Sequence, residues 1–347
     1  MKVLVTGASG FLGGHLVDGA VRAGHHVRVL VRPGNDIGRL TALPGVEPVY
    51  GDLGDADALR RAAEGVDVVH HSAALVGQRG TRAQFWETNV AGTERLLTAA
   101  RSAGARRFVF ISTPSALMNP RDGDRFGIDE SITYPDRFFN LYSETKAAAE
   151  QRVLAAHGPE FTTVSLRPRG IWGPRDRSGF LPNLIAKLVA GKLPDLAGDK
   201  RVLTSLCHCD NAVSAALLAT GAPAERVGGR AYFIVDREPV DAREMILRLT
   251  ELFGGTPPTR RVPPPVRDAL VAGVELLWRI PALAARREPP LSRYSVALMT
   301  RSRTYDTSAA ERDFGYSPVM DTETGLRQLA EWVESQGGTE AFVRTMS

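Results

Sequence analysis

Short apolar runs alternate with helical patterns through the first half of the chain. The runs are rich in β-branched residues and lie at 1–6, 27–31, 46–50, 66–70, 108–112 and 162–166. Between them apolar residues recur with a helical period, for example over 11–23, 57–63 and 85–102. Strands that alternate with helices predict an α/β fold with a doubly wound parallel sheet. Ligands of such sheets bind at the carboxyl ends of the strands.

The first predicted strand runs directly into a glycine-rich turn and then a helix. Gly7, Gly10 and Gly13 recur every third residue, with Ser9, Phe11 and Leu12 between them. Glycine lets the backbone turn tightly and lets a pyrophosphate approach the unpaired N–H groups of a helix N-terminus. These six residues are predicted to bind a dinucleotide. An ordinary βα turn is the alternative, because glycine is common there.

The second strand ends where a carboxylate would normally hold the adenosine ribose hydroxyls. The chain has Leu30, Val31 and Arg32 there, with Arg28 inside the strand and Arg39 beyond it. A guanidinium suits a ribose 2′-phosphate, so the sequence favours NADP(H) over NAD(H). The alternative interpretation of Arg32 is a solvated loop residue.

A second motif, Tyr142 with Lys146, lies in a predicted helix over 140–157. The spacing of four stacks both side chains on one face of that helix. A nearby ammonium would draw the phenol pKa of Tyr142 down towards neutrality, which suits an acid or base. The strand that ends at Ser112 and Thr113 supplies a hydroxyl to polarise a carbonyl. A surface helix with no catalytic role is the alternative.

The composition of the chain mainly excludes classes of protein and kinds of site. The 347 residues are 43% hydrophobic and carry a net charge of +4 without a long basic run, so nucleic-acid binding is not indicated, while an anionic substrate stays open. No signal peptide or stretch of transmembrane length is recognised, and two cysteines fit a reducing cytoplasm. Cys207, His208 and Cys209 lie too close along one strand to converge on a tetrahedral ion, so no metal is predicted.

Taken together, these motifs resemble an extended short-chain dehydrogenase/reductase of the NAD-dependent epimerase/dehydratase superfamily. The branch is that of 3β-hydroxysteroid dehydrogenases, sterol-4-carboxylate 3-dehydrogenases and 2-alkyl-3-oxoalkanoate reductases. The strings that carry the resemblance span nearly the whole chain: 5–13, 51–53, 71–74, 89–93, 112–115, 142–146, 149–154, 166–174 and 313–318. The segment 208–210 also fits relatives that carry His and Asp there without a metal.

The resemblance implies a role for each matching residue. Tyr142 is the acid/base, Lys146 orients the nicotinamide ribose and tunes Tyr142, and Thr113 holds the place of the usual catalytic serine, with Ser112 and Ser115 as competitors. The remaining positions are expected to contact or support the cofactor: Asp52 and Leu53 at the adenine, Ala73 and Ala74 between pyrophosphate and ribose, Asn89 on the supporting helix, and Pro168, Gly170 and Ile171 beside the carboxamide. Helix capping is the alternative for Asn89.

Two lobes are expected: a Rossmann-type dinucleotide-binding domain over 1–170, and a smaller substrate-binding lobe over 171–347 with some segments returning to the sheet. The resemblance places a lid at 172–197 and 230–303, and a polar loop over 119–139 is positioned to cover the substrate. The apolar segment 266–280 has helical spacing. It is expected to pack on the lobe, line an apolar pocket or lie on a membrane surface. Arg169, Arg175 and Arg177 are either anion-binding or surface residues.

These observations predict a cytoplasmic NADP(H)-dependent ketoreductase or alcohol dehydrogenase for a hydrophobic small molecule such as a β-keto acid, a natural-product intermediate or a sterol-like ring. A nucleotide-sugar epimerase or dehydratase with retained NAD is an alternative. A non-catalytic NADP(H)-sensing regulator is another, although such relatives typically lack the Tyr or the Lys. The resemblance also implies a homodimer through the two long helices, 85–102 and 140–157, and the sequence leaves a monomer open.

Overall fold

A seven-stranded parallel sheet forms the centre of the computed structural model, which describes residues 1–177, 179–278, 280–284 and 288–345. The strands are β1 (Lys2–Thr6), β2 (His26–Val31), β3 (Val46–Tyr50), β4 (Val68–His71), β5 (Arg107–Ile111), β6 (Arg125–Ile128), β7 (Thr162–Pro168), β8 (Ile171–Trp172), β9 (Leu203–Thr204), β10 (Cys207–His208), β11 (Arg230–Ile234), β12 (Val240–Asp241) and β13 (Arg303–Tyr305). The central order is β11-β7-β5-β4-β1-β2-β3, with every pair parallel. The chain adds β2 and β3 on one side of β1 and then continues with β4 on its other side. The strand order therefore reverses between β1 and β4, and this switch point opens the ligand crevice.

Some helices of the chain cover both faces of this sheet, and others build the smaller lobe. In chain order they are α1 (Phe11–Arg22), α2 (Gly38–Thr41), α3 (Ala56–Ala63), α4 (Arg82–Trp86), α5 (Gly92–Ser102), α6 (Leu141–Ala155), α7 (Phe180–Val189), α8 (Cys209–Gly221), α9 (Ala224–Val227), α10 (Ala242–Phe253), α11 (Pro264–Leu277), α12 (Pro281–Ala284), α13 (Arg293–Thr300), α14 (Ser308–Phe314), α15 (Thr322–Ser335) and α16 (Gly338–Arg344). One apolar core joins α1 and α8 to the sheet, and a second joins α3, α5 and α6 to its other face. The predicted doubly wound α/β fold is confirmed.

The predicted helix over 85–102 is interrupted in the structure. α4 ends at Trp86, a π-helical turn covers Glu87–Ala91, and α5 follows. The wider π turn changes which residues face inwards, and it buries Asn89. Periodicity in the sequence could not reveal this change of helix type.

The smaller lobe is assembled from several parts of the chain. A four-stranded sheet in the order β12-β9-β13-β6 lies there, so a strand before residue 170 contributes to it. α7, α10, α15 and α16 pack in a separate apolar core that includes Trp172. Residues 230–234, which the resemblance placed in the substrate lid, instead form β11 at the edge of the main sheet. Among the described residues, no helix is long and apolar enough to cross a membrane.

A buried ion pair attaches α6 to the sheet. Arg167 of β7 donates from Nη2 to Glu150 Oε1 at 2.7 Å and from Nε to Oε2 at 3.0 Å. Tyr134 and Ser165 also donate to this carboxylate, each at 2.7 Å. Burial alone would raise the pKa of Glu150, but Arg167, with a smaller contribution from the Tyr134 hydroxyl, outweighs it and holds the pKa below the ordinary value. The carboxylate therefore stays charged and its position is fixed by several bonds.

We expect the Arg167→Met variant to lose about 3–5 kcal/mol of unfolding free energy, because it leaves the Glu150 carboxylate buried without its charge partner. Chemical denaturation followed by circular dichroism measures this loss. The matched control is Arg152→Met on α6, the helix that carries Glu150. It removes the exposed pair between Arg152 and Glu94 and should change stability by only about 0–1 kcal/mol. Equal losses in the two variants would contradict a special role for the buried pair.

Candidate active site

The glycine turn between β1 and α1 has a backbone that tolerates no side chain at two positions. Gly7 has φ of +73°, and a Cβ built there would lie 2.8 Å from the nitrogen of Ala73. A Cβ on Gly13 would lie 2.0 Å from the Gly7 carbonyl oxygen. Gly10 caps the twelve-residue α1, and Ser9 and Gly10 are exposed, while Leu12 is buried below them. The turn therefore leaves the first N–H groups of α1 accessible to an anion, and it fits the pyrophosphate of a dinucleotide.

The loop after β2 lies against this turn. The Asn35 side chain donates to the Ser9 hydroxyl at 2.8 Å. Arg32 is exposed and makes no ion pair within the part of the chain that the structure describes. Arg39, by contrast, is paired with Asp18 at 2.7 Å. Arg28 binds the carbonyls at the end of α3, including that of Glu64 at 2.7 Å, so among these arginines Arg32 is the one left to face a ligand.

The residues predicted after β3 and β4 reach the same edge of the sheet. Asp52 is exposed and accepts a bond from Gly54 N, while Leu53 is buried against Gly92. Ala73 and Ala74 follow β4 and are half-buried. β4 pairs in parallel with β1, and β3 is joined to β1 through β2, so all four residues reach the carboxyl edge of the sheet on which the glycine turn also lies.

Asn89 connects three segments around the site. Its Oδ1 accepts from Leu75 N at 2.7 Å, and its Nδ2 donates to the Leu75 carbonyl and to the Thr145 hydroxyl, both at 3.0 Å. The π-helical turn thus fixes both the loop after β4 and the helix that carries Tyr142. The alternative interpretation from sequence was helix capping or solvation. Asn89 is buried and its side chain bonds to Leu75 and Thr145, so that interpretation does not describe it.

A buried hydrogen-bonded chain that was not predicted from sequence lies beneath the glycine turn. The Thr6 hydroxyl bonds to His71 Nδ1 at 2.7 Å, and His71 Nε2 bonds to the Thr93 hydroxyl at 2.9 Å. Burial, with a contribution from Lys146, lowers the pKa of His71 to about 3. The imidazole is therefore neutral at physiological pH and ties β1, β4 and α5 together as a structural group.

Tyr142 and Lys146 lie on α6, which begins where Asn140 caps the helix by accepting from Ser143 N at 2.9 Å. Lys146 is 3% exposed, so it is not part of a surface helix face. Its Nζ donates to the Ile111 carbonyl at 2.6 Å and lies 3.8 Å from the centre of the Phe110 ring. Burial lowers the pKa of Lys146 from 10.5 to about 7, although Glu150 opposes the shift.

Three hydroxyls were open as the partner of Tyr142, and the structure separates them. Thr113 lies close enough to the Tyr142 hydroxyl to lower its pKa, and its own hydroxyl shares a 2.7 Å hydrogen bond with Ser115. Ser112 is buried and its hydroxyl has no hydrogen-bond partner within the described ranges, but it lies near enough to the Glu150 carboxylate to help lower its pKa. Thr113 and Ser115 thus form a hydroxyl pair on the side of Tyr142, and Ser112 faces the ion pair.

The pKa of Tyr142 moves in the direction opposite to that expected from the Tyr-Lys spacing. Burial raises it, Tyr294 adds to the increase, and the bond from Thr113 only partly opposes it. The phenol consequently keeps its proton. Tyr294 belongs to α13 in the distant lobe and packs 5.7 Å from the Phe139 ring centre; nothing in the sequence linked it to Tyr142.

The segment after β7 divides the remaining candidates. Pro168 is buried at the end of β7, and Gly170 and Ile171 are half-buried at the start of β8. Arg175 is bonded to Asp18 at 2.7 Å, and Arg177 donates to Gln336. These two arginines therefore have structural partners. Arg169 lies near Tyr305, where burial raises the pKa of the phenol and Arg169 partly opposes that increase.

A cavity of about 390 Å³ opens beside the start of α6. Its walls come from three regions: the loop after β4, residues 138–141, and the lobe residues Glu275, Trp278, Ala284, Pro289, Ser292 and Arg293. The Asn140 amide nitrogen has no hydrogen-bond partner within the described ranges. A larger cavity of about 520 Å³ lies at the outer edge of β11, away from Tyr142. Tyr142, Thr113 and Lys146 line neither cavity, but residues 138–141 in the wall of the smaller one directly precede Tyr142, so the smaller cavity is the candidate substrate pocket.

The residues Cys207, His208 and Cys209 do not converge. His208 accepts from Asp210 N at 3.2 Å and packs 4.8 Å from the Trp172 ring, and both cysteines are free and buried. A different trio, His15, Cys209 and Asp210, has its ligand atoms within 4.8 Å of one another. Burial raises the pKa of the Cys209 thiol, and His15 Nε2 donates to the Pro174 carbonyl oxygen at 2.8 Å with the Arg175 guanidinium close by. A protonated thiol beside a cation does not suit a metal ion.

The fold, together with the residues at the carboxyl edge of the main sheet, defines a pyridine-nucleotide-dependent oxidoreductase of the extended short-chain dehydrogenase/reductase type. The pattern of the 3-beta hydroxysteroid dehydrogenase/isomerase family matches residues 4–263, and the chain belongs to that family. It is accordingly an NAD(P)-dependent enzyme acting on CH–OH groups.

Three curated relatives indicate the range of chemistry in this family. The chain is 39% identical to a 4-hydroxy-2-methyl-3-oxo-4-farnesyl-3,4-dihydroquinoline-1-oxide ketoreductase of Stigmatella aurantiaca, over 95% of this chain and 96% of that protein. It is 38% identical to a 2-alkyl-3-oxoalkanoate reductase of Stenotrophomonas maltophilia, covering 95% and 98%. A 3 beta-hydroxysteroid dehydrogenase/Delta 5-->4-isomerase of Mycobacterium tuberculosis is 34% identical, covering 96% and 90%.

Solved structures support the same fold. MoeE5 in complex with UDP-glucuronic acid and NAD superposes with a TM-score of 0.73 at 26% identity, covering 97% of this chain and all of that chain. The crystal structure of gox2253 gives a TM-score of 0.77 at 24% identity, with 97% and 98% coverage, and this likeness concerns the fold alone.

We expect Lys146 to titrate near pH 7 in the free protein, because burial disfavours its charged form. The chain contains only five lysines, so NMR of ¹³C-lysine-labelled protein resolves each one. A single signal should shift with a midpoint of about 7 and disappear in Lys146→Arg. Since the unfolded chain holds this proton up to higher pH, stability should rise as pH increases above 7. Five signals that all titrate above pH 9.5 or so would contradict the burial argument.

Proposed function

We propose that this protein is an NADP(H)-dependent ketoreductase that interconverts a hydrophobic ketone and its secondary alcohol. The observation that supports it best is the arrangement of Tyr142, Lys146 and Thr113 at the carboxyl edge, next to the glycine turn. The three residues carry a protonated phenol, a readily charged amine and a hydroxyl. This set suits reduction of a carbonyl, which needs a hydride on carbon and a proton on oxygen.

NADPH would be held along the edge, with its pyrophosphate at the glycine turn, its adenine beside Asp52 and Leu53, and its nicotinamide towards Lys146 and Gly170. When bound, it supplies the hydride to the carbonyl carbon. Thr113 donates a hydrogen bond to the carbonyl oxygen, and Tyr142 transfers its phenolic proton to that oxygen as the alcohol forms. Ser115 fixes the Thr113 hydroxyl through their 2.7 Å bond. Asn89 positions the helix through Thr145 and acts on no reacting atom.

The NADP(H) preference is supported by two features of the loop after β2. No carboxylate follows the strand, and Arg32 stays exposed without an ion pair in the described part of the chain. The bond from Asn35 to Ser9 holds that loop against the glycine turn, where the ribose of a dinucleotide bound there would lie. A 2′-phosphate would complete the pairing of Arg32.

The substrate class is supported by the candidate pocket and by the relatives. Phe138, Phe139, Leu141 and Trp278 give the pocket an apolar side, which faces a lining that also carries charged and polar groups, and Asn140 offers an unpaired amide. Ketones with long apolar groups fit such a wall. The two most similar relatives reported above are a ketoreductase and a 2-alkyl-3-oxoalkanoate reductase, which favours this class over a nucleotide sugar. A cytoplasmic location and a homodimer stay predictions.

We expect Tyr142→Phe to reduce kcat for a 2-alkyl-3-oxo acid or similar ketone by about 10²–10⁴-fold, because the proton donor is lost. NADPH affinity, measured by fluorescence titration, should stay within about twofold, since the phenol proton is not used in that binding step. Phe139→Leu serves as the control, because it changes the pocket wall and leaves the proton donor intact. A Tyr142→Phe enzyme with wild-type turnover would disprove the assigned role.

We expect Arg32→Ala to weaken NADPH binding by about 10-fold or more and to leave NADH binding unchanged, because only the phosphate contact is removed. Isothermal titration with both nucleotides measures the difference. The control is Arg28→Ala, whose guanidinium is already bound to the carbonyls at the end of α3; it should affect stability and not the ratio of the two affinities. Wild-type preference for NADH, or NAD(H) that co-purifies and does not exchange, would instead support the epimerase or dehydratase alternative.

A further inference from the structure

One arginine at the carboxyl edge of the main sheet has no charge partner. Arg167 lies in β7 and is bound to Glu150 at 2.7 Å, whereas Arg169, which directly follows that strand, makes no ion pair with any described residue. The Arg169 Nε is buried and has no hydrogen-bond partner within the same part of the chain. A guanidinium in this state favours an anion, because a carboxylate satisfies both its charge and its N–H groups.

Arg169 leaves the sheet next to the catalytic hydroxyl. Ser112 N of the chain after β5 donates to the Leu166 carbonyl at 2.7 Å, so the parallel register of β5 with β7 continues and places Thr113 beside Pro168. Arg169 therefore starts about one strand spacing, or 5 Å, from Thr113. The glycine turn follows β1, three strands away from β7, or about 14 Å. This position suits contact with the substrate and not with the pyrophosphate of the cofactor.

A buried phenol without a hydrogen bond lies beside Arg169. Tyr305 on β13 is 9% exposed, and its hydroxyl has no hydrogen-bond partner among the described residues. Its ring packs 4.7 Å from the Phe233 ring, in an apolar cluster that includes Leu117, two residues after Ser115. Burial raises the pKa of Tyr305 and Arg169 opposes the increase, so the guanidinium lies close to the phenol. Together the two side chains offer N–H and O–H donors that lack an acceptor in the described structure.

The surroundings of this pair are positive and extend to Tyr142. Arg303 lies two residues before Tyr305 on the same face of β13, and it also opposes the increase of the Tyr305 pKa. Arg303 is 1% exposed and donates to Asp122 at 3.2 Å, while its Nε has no partner among the described residues. Tyr294 raises the pKa of both Tyr142 and Tyr305, so it lies near both phenols. An anion bound at Tyr305 would therefore be close to the reacting carbonyl.

We propose that Arg169 and Tyr305 form a subsite for the carboxylate of the substrate, with Arg303 as a second positive charge. The enzyme then takes a 3-oxo acid as its anion in preference to a neutral ketone. One carbon separates the carboxylate from the carbonyl carbon in such an acid, which matches the single strand spacing between Arg169 and Thr113. The bound carboxylate orients the carbonyl towards Thr113 and Tyr142. The reaction in this inference rests on the proposed function, whereas carboxylate binding is measurable without turnover.

The test compares 3-hydroxydecanoate with its methyl ester, which has the same apolar chain and no charge. Isothermal titration into the full chain loaded with NADPH measures binding alone, because the reduced cofactor cannot oxidise the hydroxyl. We expect the wild type to bind the acid more tightly than the ester. Arg169→Gln should weaken acid binding by about 10–100-fold and leave ester binding within about twofold. Arg169→Lys keeps the charge and loses the bidentate geometry, so it should give an intermediate affinity.

Tyr305→Phe is a second variant, which removes only the unpaired hydroxyl and should weaken acid binding by about fivefold. The matched control is Arg177→Gln, which changes another arginine of the segment after β7, one that is bonded to Gln336. It should keep the ratio of acid to ester affinity found in the wild type. Circular dichroism and NADPH affinity confirm that each variant folds.

Three results would overturn the subsite. The first is equal affinity of the wild type for the acid and the ester. The second is an equal loss for both compounds in Arg169→Gln, which would make Arg169 a structural residue, and the third is the same loss of acid selectivity in Arg177→Gln. Failure of the proposed function looks different: acid binding depends on Arg169, but the wild type does not oxidise 3-hydroxydecanoate with NADP⁺. That outcome would contradict the reaction and support the subsite.

Discussion

The buried bond between Glu150 and Arg167 determines where the catalytic helix sits. α6 carries Tyr142, Lys146 and Glu150 at intervals of four residues, so all three occupy one face. The last is fixed to β7 by Arg167, and Lys146 is fixed to the end of β5 by the Ile111 carbonyl. With two anchors on neighbouring strands, the helix can neither slide nor rotate, and Tyr142 is held beside Thr113. A mobile surface pair could not hold a phenol in that way.

The same burial determines the protonation states at the site. Lys146 enters the interior with a carbonyl oxygen and the face of Phe110 as its nearest partners, so its charge is only partly compensated and its pKa falls to about 7. Tyr142 loses solvent and faces Tyr294, which keeps the proton on the phenol. The spacing of Tyr142 and Lys146 predicted a lowered pKa for the phenol, and the structure gives a raised one. The prediction considered the charge of the Lys146 ammonium and left out the desolvation of the phenol. A protonated phenol is the state required to donate to a ketone oxygen, so the observed direction suits reduction.

The features that sequence could predict are those with local causes. Strand periods, the Gly7 to Gly13 turn and the Tyr142 to Lys146 spacing each depend on a few consecutive residues, and the doubly wound α/β class follows from the alternation of strands and helices. The π-helical turn at Asn89, the Glu150 to Arg167 pair and the Tyr294 contact depend on residues brought together by folding. α6 illustrates the reason: buried Lys146 and Glu150 alternate with buried alanines, so no amphipathic pattern marks which side faces the sheet. For the segment 266–280, periodicity correctly predicted a helix. Periodicity did not reveal which side of that helix packs on the lobe.

The two halves of the site differ in what constrains them. On the cofactor side, backbone atoms approach so closely at Gly7 and Gly13 that any side chain collides, and the structure there has little freedom. On the substrate side, the pocket wall is made of side chains from α11 to α13 and from residues 138–141, whose shapes can change without disturbing the sheet. Relatives with different substrates can therefore share the cofactor half. Substrate choice is accordingly expected to depend on the residues of the substrate half, such as Phe139, Glu275 and Trp278, which line the pocket.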